Sequence, residues 1–191
     1  MHFQPADYGP PVARLVQSAA CNDLGPGQPD ESRRSLLAAL TPEDVVAPHP
    51  LVDAEMARAC LAGLWLRYDF LDASHEISQG IESPAGSFWH GILHRREGDF
   101  SNAKYWFRRV GRHPVFEPLA AVAALLAQET AVTRSGVDLA AHSSWDPFHF
   151  VDLCESAAGD QTLAQLCQRI QKREWDLLFD DCYRNASERR S

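Results

Sequence analysis

The segment Asp69-Phe70-Leu71-Asp72-Ala73, with Pro84 beyond it, recurs thirty residues on as Asp99-Phe100-Ser101-Asn102-Ala103, with Pro114 beyond it. A chain that repeats a polar residue, an aromatic, an alanine and a proline at one fixed displacement is building the same supersecondary unit twice. Each unit reads as a helical hairpin. The aspartate falls in the turn, the phenylalanine staples the two helices, the alanine lets them cross closely, and the proline stops the second helix.

The rest of the chain agrees with helices. Alanine and leucine number 46, against 19 for valine, isoleucine and threonine, a balance that disfavours strands. The expectation is an all-α fold in which residues 1–191 form one compact helical domain. Residues 1–50 hold eight of the twelve prolines and should form an arm of short helices. Within it, Asp30 can cap a helix from Glu31 to Leu40, and Thr41-Pro42-Glu43-Asp44 has the form of a helix start. Residues 51–114 hold the two hairpins, with helices expected at Val52–Arg67, Leu71–Gln79, Ala85–Glu97 and Phe100–Val110. Residues 115–191 supply the C-terminal helices. Leu119 to Gln128 is apolar on all sides and predicts a buried helix, Asp146-Pro147 opens a helix ending near Gly159, and a long one runs from Asp160 to about Tyr183.

Composition narrows the function classes. The uncharged apolar run Pro118–Gln128 is far shorter than the roughly 20 residues a membrane span needs, so no membrane association is expected. The start, Met1-His2-Phe3-Gln4-Pro5-Ala6-Asp7, lacks the basic patch and apolar run of a secretory signal. Cys21, Cys60, Cys154, Cys167 and Cys182 are odd in number and scattered, as in a reduced cytoplasmic protein. A net charge of −8 argues against nucleic acid as a partner. Glycine-rich phosphate loops and a Gly-x-Ser-x-Gly nucleophile elbow are absent from the sequence.

The string Gly98-Asp99-Phe100-x-x-Ala103-x-x-x-Phe107, with Gly91 as the small residue of the preceding helix, resembles the centre of a tetratricopeptide unit. The resemblance covers about residues 52–114 and implies tandem helical hairpins, at a 30-residue spacing where that family uses 34. The longer string from Phe88 through Phe100 to Arg112 also resembles a group of bacterial and fungal proteins of unknown activity, which implies no mechanism.

One region gathers groups able to do chemistry. Residues 90, 94 and 97 fall within about 60° on a helix, so His90, His94 and Glu97 share a face. Two imidazoles one turn apart beside a carboxylate can hold a divalent metal or do acid–base work, with His75, Glu76 or His113 as further ligands. The order differs from the His-Glu-x-x-His of zinc proteases. The plain alternative is a pair of histidines hydrogen-bonded within a polar face.

The same region is basic. Arg95, Arg96, Lys104, Arg108, Arg109 and Arg112 stand against Glu97 and Asp99, a local balance of +4 in a chain of −8. Guanidinium forks suit phosphate and carboxylate oxygens, and the interleaved Trp89, Tyr105 and Trp106 can wall a pocket. The leading expectation is therefore a binding protein for a small anionic molecule or an acidic peptide, through His90, His94, Arg95, Arg96, Tyr105, Arg108, Arg109, Arg112 and His113. No cofactor is called for unless the histidines hold a divalent metal. The competing expectations are a metal-dependent or acid–base enzyme using His90, His94 and Glu97, that these arginines pair with the surplus acids of neighbouring helices, or that Trp145, Phe148 and the apolar helices support a homodimer or an interaction scaffold.

Overall fold

The computed structural model of the chain describes residues 4–18, 22–130 and 145–187. Cys21, singled out above, lies outside the described residues. The described part is all-helical: a 3-10 turn at Pro5–Asp7, then α1 (Pro10–Ser18), α2 (Glu31–Ala39), α3 (Pro42–Val46), α4 (Ala54–Arg67), α5 (Leu71–Ser78), α6 (Pro84–Glu97), α7 (Phe100–Val110), α8 (Phe116–Thr130), α9 (Pro147–Ser156) and α10 (Gln161–Ser187). None of these helices is long and apolar enough to cross a membrane.

Local signals set most of the helix starts. The Asp30 carboxylate accepts from Ser32 N, and Thr41 and Asp44 form a reciprocal capping box at the head of α3. Asp53 accepts from Glu55 N and Met56 N, and Asp146 does the same for Phe148 N and His149 N. The arm anchors on the core through α1, where Val12, Leu15 and Val16 are buried. The Tyr8 hydroxyl donates to Asp180, and the Tyr68 hydroxyl donates to the carbonyl of Leu15.

The repeated residues form two tightly packed helix pairs, α4 with α5 and α6 with α7. Their details differ from the expectation. Asp99 caps α7 by accepting from Asn102 N, but Asp69 sits in the turn before α5 at φ 64° and gives its carboxylate to Arg96. The prolines do not stop the second helix of each pair. Pro84 occupies the first turn of α6, where a missing N–H costs nothing, and Pro114 precedes α8.

The expectation of a buried helix at Leu119–Gln128 also needs correction. α8 buries Leu119 and Ala123 but leaves Leu125 exposed. The buried helix is α6, in which every residue from Ala85 to Arg96 is buried, packed against α4, α5 and α7. Close approach makes this possible. Trp89 lies over Gly63 of α4, where an added Cβ would come within 2.7 Å of the indole. Trp89 also meets Trp175 of α10 at 6.0 Å between ring centroids, and the Trp175 N–H donates to the Gly63 carbonyl.

α10 buries a continuous run from Glu174 to Tyr183 that includes four acids. Charged groups enter a core only when paired. Arg95 takes Glu174, Lys172 and Arg173 take Asp176, and Arg184 with Tyr8 takes Asp180. Cys60, Cys154, Cys167 and Cys182 are buried free thiols.

Candidate functional site

The nine residues expected to form one basic surface go to different places. Arg95 is fully buried, 2.5 Å from one Glu174 oxygen and 3.2 Å from the other, with Gln171 Oε1 at 3.4 Å and the Phe150 ring under its guanidinium at 4.5 Å. Arg96 is also buried. It donates to Asp69 and to the carbonyls of Leu66, Gly25 and Pro26, tying α6 to the turn before α5 and to the arm. These two guanidinium groups are engaged inside the molecule. Arg109 lies over the Trp106 ring at 5.1 Å, and Tyr105 is exposed beside it. The remaining five divide between a histidine cluster and a cleft.

The cluster is built from His75 on α5 and from His90 and His94, one turn apart on α6. One nitrogen from each ring lies within 4.8 Å of the others. His75 meets His90 edge-on at 4.5 Å and His94 at 5.5 Å, while His90 and His94 stack at 4.9 Å. Trp106 of α7 lies flat on His90, 3.9 Å away and tilted by 16°. Glu97, expected as a ligand, instead holds His94 from behind: its Oε2 is 2.7 Å from Nδ1. Glu76, the neighbour of His75, is exposed, and His113 lies elsewhere. Burial, followed by the neighbouring His75 and His94, pushes the His90 imidazole down to about 3. Nothing in the local pattern pointed to His75 over Glu76 or His113; only the packing of α5 on α6 selects it.

The cleft lies where the end of α7, the start of α8 and the start of α9 meet, with a volume of about 940 Å³. Phe107, Phe116, Trp145, Pro147 and Phe148 supply apolar wall, with Arg108 from the last turn of α7 and Arg112 from the bend just beyond Gly111 beside it. Both arginines are exposed, and neither makes an ion pair among the described residues. His113 lines the cleft with its ring. Its Nδ1 accepts from Val115 N, its Nε2 lies 4.0 Å from Asp181, and Phe88 packs edge-on against it. Trp145 is buried, yet its indole N–H has no hydrogen-bond partner among the described residues. Acids are present too: Glu117 and Asp146 line the same space, and Asp146 is occupied in capping α9. Sequence reasoning named Arg108, Arg112 and His113 but read Trp145 as helix-start packing or a dimer contact.

Comparison of the chain with protein-family models, with curated proteins and with solved structures finds no match.

Proposed function

We propose that the protein binds a small anionic molecule with an apolar or aromatic body in the cleft between α7, α8 and α9. The observation that carries this is a cleft of about 940 Å³ walled by Phe107, Phe116, Trp145 and Phe148, on which Arg108 and Arg112 stand exposed with no ion pair among the described residues. Arg108 and Arg112 line the same cleft, where guanidinium forks suit the oxygens of an anionic ligand. The cavity falls in the roughly 300–1,000 Å³ range of small-molecule sites, and its aromatic walls suit a planar group. This reading keeps the expected ligand class, narrows the expected residues to Arg108, Arg112 and His113, and adds Trp145 as an aromatic wall.

The test is a thermal-shift and calorimetric titration with phenyl phosphate, benzoate, inorganic phosphate and a short glutamate peptide. At about 100 times its Kd a ligand adds roughly 2.7 kcal/mol, a rise of about 5–10 °C for a chain of this size. An aromatic anion should shift the transition, and Arg108→Ala with Arg112→Ala should abolish the shift without changing the ligand-free Tm. Silence from every probe, or a shift that survives the double substitution, overturns the proposal. A response to the peptide alone replaces the small molecule with an acidic segment.

A further inference from the structure

A second site stands apart from the cleft. We infer that His75, His90 and His94 form a three-imidazole site for a divalent transition metal of the zinc class, with Glu97 and Ser78 as the groups that orient the ligands.

The hydrogen bonds select the ring nitrogens. The Ser78 hydroxyl donates its one proton to the carbonyl of His75, so toward His90 Nδ1, 3.3 Å away, it can act only as an acceptor. His90 therefore carries its proton on Nδ1 and presents the Nε2 lone pair. His94 reaches the same state by a different route, since Nδ1 faces the Glu97 carboxylate at 2.7 Å and Nε2 accepts from the Asn102 amide at 3.2 Å. A carboxylate or hydroxyl behind the non-ligating nitrogen is the arrangement that fixes tautomer and ring orientation in metal-binding histidines. A metal would displace the Asn102 amide from His94.

The third ligand is the movable one. His75 is half-buried, comes from a different helix, and its ring makes no hydrogen bond among the described residues. Bonds of about 2.0–2.1 Å to zinc place tetrahedral nitrogens roughly 3.3 Å apart, so the cluster, whose nitrogens lie within 4.8 Å of one another, must close by up to about 1.5 Å. Rotation of the untethered His75 ring is the least costly way to do so. Trp106 covers one face of His90 and limits that ring's freedom. The donor set is all imidazole, without thiolate, which selects zinc, copper, nickel or cobalt over calcium or magnesium. Three protein ligands leave a fourth position for water or an anion.

The experiment uses the full chain, treated with chelator, gel-filtered and titrated with Co(II), followed by visible absorption and by displacement with Zn(II). The expected result is one cobalt per chain, with the intense bands of a four- or five-coordinate ion, displaced by one zinc. His75→Gln should weaken binding at least a hundredfold with an unchanged far-ultraviolet spectrum, and Glu97→Gln should weaken it about 10–100-fold. Arg108→Ala with Arg112→Ala should leave the titration unchanged, separating this site from the cleft. X-ray absorption on the zinc-loaded wild-type chain needs no variant and should show three imidazoles. A folded wild type that binds neither metal, a His75→Gln variant that binds as the wild type does, or a sulfur-containing or oxygen-only shell overturns the assignment.

Discussion

Glu174→Gln is the substitution that most directly tests why Arg95 is inside the molecule. The pair is closed off from water, with Arg95 1% exposed and Glu174 not exposed at all. Two unit charges about 4 Å apart attract by roughly 4 kcal/mol at an effective dielectric near 20. Removing the carboxylate charge leaves the guanidinium with Gln171 Oε1, the new amide and the face of Phe150 as neighbours. The expected loss is about 3–5 kcal/mol, the range for breaking a buried pair from one side, and it lowers the Tm by about 6–20 °C. Replacing both members at once, as Arg95→Met with Glu174→Leu, should recover most of that loss, because the desolvation cost of both charges disappears with their attraction. Urea denaturation followed by circular dichroism measures all three variants. A Glu174→Gln loss under about 1 kcal/mol, or a double variant no better than the single, refutes the reading of Arg95 as a buried, internally neutralised cation.

Gly63→Ala should destabilise the fold by about 1–2 kcal/mol: the 2.7 Å approach to Trp89 forces repacking that outweighs the better helix propensity of alanine, and a net gain in denaturation midpoint would show that Trp89 moves aside freely. Asp146→Ala removes the acceptor for Phe148 N and His149 N and should cost about 1 kcal/mol by thermal denaturation, with no loss expected if solvent replaces the cap. The metal-free protein should lose stability as pH falls. His90 is held near 3 in the fold against an ordinary 6.5, so between those values the unfolded chain takes up a proton that the folded one refuses. The contribution is fully present above about 6.5 and falls by at most about 1.4 kcal/mol per pH unit below it. The groups facing His90 are His75 from α5, with His94 and its partner Glu97 on α6. His90→Gln should flatten the slope of Tm against pH in this window, and an unchanged slope would assign it to other groups.

The helices were legible because their signals are local. Asp30, Thr41 with Asp44, and Asp146 with Pro147 act on the next few backbone groups and Gly98 on the preceding carbonyls, and the predicted starts of α2, α6 and α9 fall within one residue of those observed. The fate of the charges was not legible, because it is decided at long range. The basic run from Arg95 to Arg112 looks like one surface in sequence, yet Glu174 lies 79 residues from Arg95, and Asp69 lies 27 residues from Arg96 in a preceding helix turn. The same limit hid His75, which joins His90 and His94 only through the packing of α5 on α6. Hydrophobicity misled at α8, whose run of alanines has little side chain to bury and so leaves Leu125 outside.

The interior of α6 separates its polar groups by whether they can give up a charge. Arginine stays protonated at any ordinary pH, so Arg95 and Arg96 enter the core only with carboxylates and carbonyls already in place. Those bonds, to α10, to the turn before α5 and to the arm, fix how α6 is rotated about its axis. Imidazole can enter neutral, and His90 does so at the cost of a pKa pushed far down. The rotation set by the arginines turns His90 and His94 toward α5, where His75 meets them. A structural histidine is expected to have both nitrogens satisfied by fixed donors or acceptors. Here the partners lie behind His90 and His94, on the Nδ1 side, and Asn102 alone is shown donating toward an Nε2. Bringing lone pairs together in a buried space is unfavourable unless a proton or a cation sits among them. A divalent cation is the occupant proposed for this donor set, since three imidazole nitrogens within 4.8 Å of one another can converge on it.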